Sequence, residues 1–384
     1  MWFSPAWLTI KPSARRTTMS EVGSSEEESQ MPEANLVDEI SGERFRDWYR
    51  KREFRKNIED GNPYFNGPSS VPSPRKHSPS QLLQCHRKIA YRQHNAPAEK
   101  SDPVGIFWFG SRFEEELVQA FLKEAVIDDH EYVTNSLWVD FTVQTDAGEI
   151  QIKGETDPVI VDSDGNPLLL TEIKTKQAVD NVQSPNRHHR AQAHAYMKGL
   201  SEKHDRKVTD AVVLYGSRKT LDVKSFHIEF DPWFWRNTVL AWAETHTSYR
   251  LDEELPPANP EYGWECNFCS FRDRCGRGSA SYESIGPVGL LPLHEYPREE
   301  AIRHLESHGN AKLTPTLSNR YPELASRFEV HDWRCERCDA TYPHDSVEWT
   351  GDLSEPPLCP SCCDCGVPAT LRGDSILSQG KEGE

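Results

Sequence analysis

The sequence predicts an α/β fold: a layered domain of about 200 residues, with smaller cysteine-bearing modules attached to it. Three observations carry this expectation. Short apolar runs with strand-like alternation sit between two segments of helical periodicity, Ser111–Val126 and Pro185–Leu200. At the centre, the apolar runs Pro158–Val161 and Leu168–Leu170 flank the turn-forming cluster Asp162–Pro167, which reads as a β-hairpin. The ten cysteines are grouped rather than scattered, and grouped thiols in a reducing compartment are metal ligands more often than disulfides.

The hairpin segment Gly154–Lys176 carries the candidate chemistry. Asp157 is placed on its first strand, and Glu172 and Lys174 at the end of its second. Side chains alternate faces along a strand, so Glu172 and Lys174 share one face while Ile173 points to the other. Two carboxylates and an ammonium converging at the hairpin mouth are what a magnesium-dependent phosphodiesterase requires. Hard oxygens hold the metal, and the lysine orients water or the scissile phosphate. The same acid-x-Lys pattern recurs at Asp205/Lys207 and Asp222/Lys224, read as solvated surface charge. Only Glu172/Lys174 follows an apolar strand and has Gly154-x-x-Asp157 upstream. An ordinary hairpin with polar ends is the competing reading.

Composition bounds the rest. The formal charge of -17 argues against a broadly basic nucleic-acid coat, though a local basic groove needs only a few placed Lys or Arg. A mean hydropathy of -0.73 and 27 prolines point to a modest core and long loops. No apolar run reaches the roughly 18 residues of a membrane span, and the first residues lack a signal-peptide pattern, with Met19 an alternative start. A cytoplasmic location is therefore expected. No Gly-x-x-x-x-Gly-Lys-Ser/Thr motif occurs, so the chain has no P-loop motor.

In chain order, residues 1–36 are Ser/Glu-rich and expected to be a disordered leader. Residues 37–76 form a basic helix, Val37–Ile58, and a Pro/Gly/Ser linker. Ser78-Pro79-Ser80-Gln81 reads as a capping box opening a helix to about Gln93, with Cys85 near its start. In the helix Ser111–Val126 the expected apolar stripe is Phe113, Leu117, Ala120, Phe121 and Ala125, with Glu114 at its inward edge. Strands are expected at Tyr132–Val143, Glu149–Asp157, Val159–Val161, Leu168–Thr175, Thr209–Gly216 and Val223–Phe230. The helix Pro185–Leu200 places Gln192 and Tyr196 on one face, and a Trp-rich helix spans Pro232–Leu251. The domain expectation is 77–278 for the α/β unit, 279–330 for a linker with one short helix, Arg298–Ser307, 331–372 for a cysteine ribbon, and 373–384 for a disordered tail.

Cys266-x-x-Cys269 and Cys275 supply three thiolates, and Cys85 is the unassigned cysteine N-terminal to them. If it completes the set, a metal centre staples the N-terminal helix to the end of the α/β unit. Zinc and an iron–sulfur cluster both suit four thiolates, and three cysteines with a histidine is a further zinc option. The second set, Cys335-x-x-Cys338 and then Cys359-x-x-Cys362 after twenty residues, has the spacing of a zinc ribbon. Cys363 and Cys365 follow, so Cys362/Cys365 fits the second knuckle equally well.

Taken in order, these pieces resemble the RecB-like branch of the PD-(D/E)XK nucleases over about Ser78–Gly276, most closely the CRISPR-associated Cas-four type exonucleases. The carrying motifs are SPSQLLQCHRK, Gly110-x-x-x-Glu114, GETD, EIKTK, QAHAY and the terminal Cys-x-x-Cys-x5-Cys. The resemblance implies a restriction-endonuclease-like core and a 4Fe-4S cluster on Cys85, Cys266, Cys269 and Cys275. It further implies magnesium or manganese held by Asp157 and Glu172, with Lys174 assisting the attacking water. Gln192 and Tyr196 would contact DNA or support the site. Glu114 stands where relatives usually carry histidine; a carboxylate serves magnesium as well, and Glu115 is the fallback assignment. The ribbon metal, a structural zinc on Cys335, Cys338, Cys359 and Cys362, lies outside the resemblance. The implied activity is a deoxyribonuclease, an exonuclease on single-stranded or frayed DNA, in CRISPR spacer acquisition or repair, partnered by a helicase or CRISPR integration proteins. The alternative is a non-catalytic DNA- or protein-binding metalloprotein on a nuclease fold.

Overall fold

The computed structural model describes residues 40–59, 70–101, 103–279, 282–352 and 354–373. The leader 1–36 and the tail beyond 373 lie outside these residues. Contacts divide the chain into two units, Met1–Asn66 and Gly67–Glu384. The described part of the first is one helix, α1 (Gly42–Glu59); the expected start at Val37 lies outside the described residues. Phe45 stacks on Tyr49 at 6.3 Å, and Arg52 lies over the Trp48 ring.

The second unit contains three sheets. Strands β1 (Lys76–His77), β4 (Gly148–Glu155) and β3 (Trp138–Thr145) form one, in the order β1-β4-β3. The main sheet orders as β2-β5-β6-β7-β8, from β2 (Glu131–Thr134), β5 (Val159–Asp162), β6 (Pro167–Lys176), β7 (Asp210–Ser217) and β8 (Val223–Glu229). The hairpin β5–β6 is antiparallel and β6–β7 parallel, with Glu172 paired to Val213 and Lys174 to Tyr215. Between β6 and β7 the chain passes through α4 (Arg187–Lys203).

Period-two alternation decides what each face buries. Leu170, Val159, Val213 and Tyr215 enter the core formed with Ala191, Ala195, Met197 and Leu200 of α4. Ile160, Ile173 and Leu214 turn to the opposite face, where they meet Phe113, Val118 and Leu122. That second layer is a continuous helical run: α3 (Val104–Arg112), a π-helical segment Phe113–Val118, a short α segment and a second π segment, Leu122–Val126. It begins earlier than the expected Ser111. The expected stripe is also corrected. Leu117 and Phe121 are exposed, and the buried set is Phe113, Val118 and Leu122. A π turn takes an extra residue per turn, so the inward face advances by five rather than four.

Other expectations change for local reasons. The expected strand Tyr132–Val143 is two strands in different sheets, broken at Asn135–Leu137, where Leu137 N donates to Thr156 Oγ1. Asp157 is not on a strand but in the bend between β4 and β5. The capping box at Ser78/Gln81 forms, yet it closes only a 3-10 turn, Pro79–Gln81. The chain then breaks, with Leu83 at positive φ, and Cys85 becomes the N-cap of α2 (His86–Gln93). The Trp-rich helix is confirmed as a run from Pro232 that ends in α5 (Ala241–Leu251), again with a π segment inside.

The segment 279–330, expected as a linker, carries its own core. Helix α6 (Arg298–Ser307) matches the expected range, and α7 (Pro315–Arg320) and α8 (Pro322–Ala325) follow it. Leu290, Leu291, Tyr296, Ala301, Leu305, Leu313, Leu317 and Leu324 pack together. The third sheet, β10 (Thr341–Tyr342), β9 (Trp333–Cys335) and β11 (Leu371–Arg372), pairs antiparallel around the second cysteine set. No helix among the described residues is long and apolar enough to cross a membrane.

Gly216 on β7 shows how tightly the layers close. A Cβ there would lie 2.2 Å from Phe113 Cζ, so the ring sits directly on the strand backbone. Gly216→Ala is expected to destabilise the fold by about 1–3 kcal/mol through overpacking, read as a drop in the urea midpoint. An unchanged midpoint would refute this account of Phe113.

Candidate active site

The site forms where the bend at Asp157 meets the end of β6. Glu172 and Lys174 project from the α4 face of β6, as strand alternation requires. The Asp157 carboxylate crosses the gap: its Oδ2 accepts the Ile173 N–H at 2.6 Å and lies 3.7 Å from Lys174 Nζ. Gly154 permits the approach that precedes the bend, because a Cβ there would meet Pro79 Cδ at 2.8 Å. Lys174 Nζ also donates to its neighbour's carbonyl, Ile173 O, at 3.1 Å.

Glu172 is fully buried. Its Oε1 is in contact with the Lys174 ammonium, while Oε2 has no hydrogen-bond partner among the described residues. A buried carboxylate oxygen left unpaired costs several kcal/mol on the scale of polar-group burial, roughly 2–7. Burial pushes the Glu172 carboxyl up to about 8 against the pull of Lys174, with Asp157 and Glu114 adding to the rise. For Lys174 burial works downward, but Glu172 and Asp157 outweigh it and hold the ammonium above its ordinary value.

Glu114 belongs to the same electrostatic group. Burial raises it to about 7, Asp157 adds to the rise and Lys174 opposes it. The fallback residue differs: Glu115 is exposed and ion-paired with Arg112 at 3.2 Å. Glu114 follows Phe113, whose ring is seated on Gly216, and lies within the field of Asp157 and Lys174. Gln192 and Tyr196 are buried rather than solvent-facing. Tyr196 donates to Glu155 O at 2.6 Å and receives Gln192 Nε2 at 3.3 Å, which braces α4 against the end of β4.

This donor set fits a divalent cation. Asp157 and Glu172 flank one ammonium and Glu114 lies in their field; two of the three have raised proton affinity and one has an orphan oxygen, although the three carboxylates do not all come within 4.8 Å of one another as the ligands of a closed site do. A hard cation relieves all three conditions together. Asp157, Glu172 and Glu114 are the residues that would hold it.

Residues the motif reading did not assign surround this centre. His189 Nδ1 lies 2.7 Å from the Tyr215 hydroxyl, Asn186 N donates to the same oxygen, and Lys176 Nζ sits 4.7 Å above the Tyr215 ring. Burial lowers both His188 and His189, and Lys174 and Lys176 lower them further. The histidine-rich start of α4 was visible in sequence, but its pairing with Tyr215 depends on the parallel β6–β7 register.

The two cysteine sets differ in geometry. Cys335, Cys338, Cys359 and Cys362 place their sulfurs within 4.8 Å of one another, with two pairs at 3.7 Å. Tetrahedral zinc with Zn–S near 2.3 Å needs sulfurs about 3.8 Å apart, so these four suit a single ion. The second knuckle is therefore Cys359/Cys362, and Cys363 and Cys365 are exposed. Cys85, Cys266, Cys269 and Cys275 line one pocket with Arg87, Lys88 and Tyr91. They do not form a group of that tight kind; the second tight group among the described residues is Asp210, His227 and Glu229 on the sheet edge.

A family model described as "PD-(D/E)XK nuclease superfamily" matches residues 52–276. No curated protein matches. Among solved structures, one described as "Crystal structure of SSO0001" is 15% identical, with a TM-score of 0.40, covering 60% of this chain and 97% of that one.

The raised carboxyls set a pH signature. Between the unfolded value of 4.5 and about 7–8, folded Glu114 and Glu172 keep protons that the unfolded chain has shed. Their contribution to stability is complete below 4.5 and is lost as pH rises through that window. A bound cation must displace those protons. The magnesium-induced rise in melting temperature is therefore expected to grow from pH 6 to pH 8.5 and to disappear in Glu172→Gln. Taking the difference with and without magnesium cancels the buried histidines, whose slopes run the other way.

Proposed function

The chain belongs to the PD-(D/E)XK nuclease superfamily through residues 52–276, and on that premise we propose that it is a metal-dependent deoxyribonuclease acting on single-stranded or frayed DNA. The observation that carries this reading is the buried Glu172 carboxylate, half-neutralised by Lys174 and facing Asp157. A purely structural ion pair would satisfy both Glu172 oxygens; this one leaves an oxygen for a further ligand.

Magnesium or manganese, when bound, activates water and neutralises charge on the scissile phosphate. Asp157 and Glu172 would hold the ion, with Glu114 as the third carboxylate. Asp157 is fixed by the Ile173 N–H. Because its neighbours keep Lys174 protonated, it acts as a hydrogen-bond donor and positive charge toward the attacking water or the phosphate, not as a general base. Gln192 and Tyr196 hold α4 in register with β4 and keep water from the buried side of Glu172. With no P-loop motor in the sequence, the strand arrives already unpaired, supplied by a helicase or an integration complex in repair or spacer acquisition.

The two thiolate sets support two further cofactors. The open pocket of Cys85, Cys266, Cys269 and Cys275 suits a 4Fe-4S cluster, which spreads its ligands wider than one ion does. The tight set of Cys335, Cys338, Cys359 and Cys362 suits structural zinc.

Magnesium-dependent degradation of end-labelled single-stranded DNA is expected to fall about 100-fold or more in Lys174→Ala, the scale of losing one transition-state donor. Equal rates would sink the catalytic role of the hairpin. Metal analysis separates the cysteine sets: Cys266→Ser should lose iron and visible colour but keep zinc, and Cys359→Ser should do the reverse. A colourless wild-type protein prepared anaerobically and holding only zinc would remove the cluster assignment.

A further inference from the structure

The 3-10 turn Gly263–Phe268 carries Cys266 and leads into Cys269, yet it presents three large aromatic side chains to solvent. Tyr262, Trp264 and Phe268 are 42%, 54% and 79% exposed. The Tyr262 and Trp264 rings are near parallel, 15° apart with centroids 5.9 Å apart, and Phe268 stands edge-on to Trp264 at 6.4 Å. Water-facing aromatics at this density mark a recognition surface. Cys266 lies between Trp264 and Phe268 and Cys269 follows directly, so the aromatics share one short turn with two cysteines of the first set.

Charge around the turn selects the kind of partner. Glu261 dominates the charge at Tyr262, and Arg187, the exposed first residue of α4, opposes it. His188 follows and lies in the field of Lys88, Lys174 and Lys176, held neutral by burial. The pocket beside Cys266 is lined by Arg87, Lys88, Arg272 and Arg277 against the single acid Glu265, so on a chain with a net charge of -17 the cations next to the aromatic turn are a local reversal of sign. Polyanion contacts from basic groups, interleaved with aromatic faces, are the pattern that binds unpaired nucleic acid.

We propose that Tyr262, Trp264 and Phe268 form a base-stacking platform for the single strand whose backbone is held by the neighbouring cations Arg187, Lys88, Arg272 and Arg277. This deepens the nuclease reading of the same site and rests on it. Duplex DNA keeps its base faces buried, so the platform would select unpaired strands without reading sequence.

The test uses the full-length, metallated protein with no divalent ion added, so that binding is read apart from cleavage. The probes are a fluorescent oligothymidylate and the same backbone with abasic residues. Stacking predicts that wild-type protein binds the base-bearing strand on the order of 10-fold to 100-fold more tightly. Trp264→Ala and Phe268→Ala should reduce that preference and leave binding of the abasic strand unchanged. Equal affinity of wild-type protein for both probes overturns the platform without recourse to any variant, and assigns the aromatics to a protein partner. If magnesium then produces no cleavage while the base preference holds, the platform stands and the nuclease reading falls. If cleavage depends on Lys174 while the preference is absent, the platform alone falls.

Discussion

Full burial of the Glu172 carboxylate constrains everything around it. A fully buried acid with one oxygen unpaired is tolerated only beside a compensating charge, and β6 supplies that charge two residues away, on the same face, as Lys174. The pair stays on that face because Ile173 is committed to the opposite apolar layer. Register with β7 places Val213 and Tyr215 beside the two charged residues, giving one apolar wall and one polar one. The bend at Asp157 and the brace from Tyr196 to Glu155 each deliver one more group to this opening, and Glu114 follows the Phe113 ring seated on Gly216.

Much of this was legible in the sequence because alternation along a strand is a strict rule. The shared face of Glu172 and Lys174, the hairpin around Asp162–Pro167 and the pairing of Gln192 with Tyr196 all follow from fixed spacings. What escaped the reading has physical causes of other kinds. The π turns after Phe113 moved the buried stripe off the 3.6-residue pattern. A helix break at Leu83 separated a sound capping box from the helix it seemed to open. Asp157 left the strand because Thr156 is used to catch Leu137 from across the sheet junction. The hydrophobic cluster within 279–330 was hidden because its helices are short and begin at or just after prolines, residues that read as loop.

The cysteine sets illustrate a different limit. Spacing along the chain revealed two groups but left the second knuckle ambiguous. Convergence in space separates Cys362, which is buried and groups with Cys335, Cys338 and Cys359, from the exposed Cys363 and Cys365. For the first set, Cys85 comes from almost two hundred residues earlier in the chain, so only the fold brings it to the same pocket. Glu99 secures that arrangement from below, its two oxygens accepting the Asp273 and Arg274 N–H groups in the loop before Cys275.

Arg274 itself is fully buried, and its guanidinium donates to the carbonyls of Gly286, Val288 and Gly289 and to the Tyr296 hydroxyl. Among the described residues no carboxylate forms an ion pair with its guanidinium; that group is solvated by backbone from beyond residue 279. Tyr91 of α2 reaches across in the same way to Ile285 O. The boundary that composition draws near residue 278 is therefore a poor place to cut. A chain ending there would strip the solvation from a buried cation one residue away from Cys275. Evolutionary exchange of the C-terminal module would meet the same obstacle, since any replacement must bring its own carbonyls to Arg274.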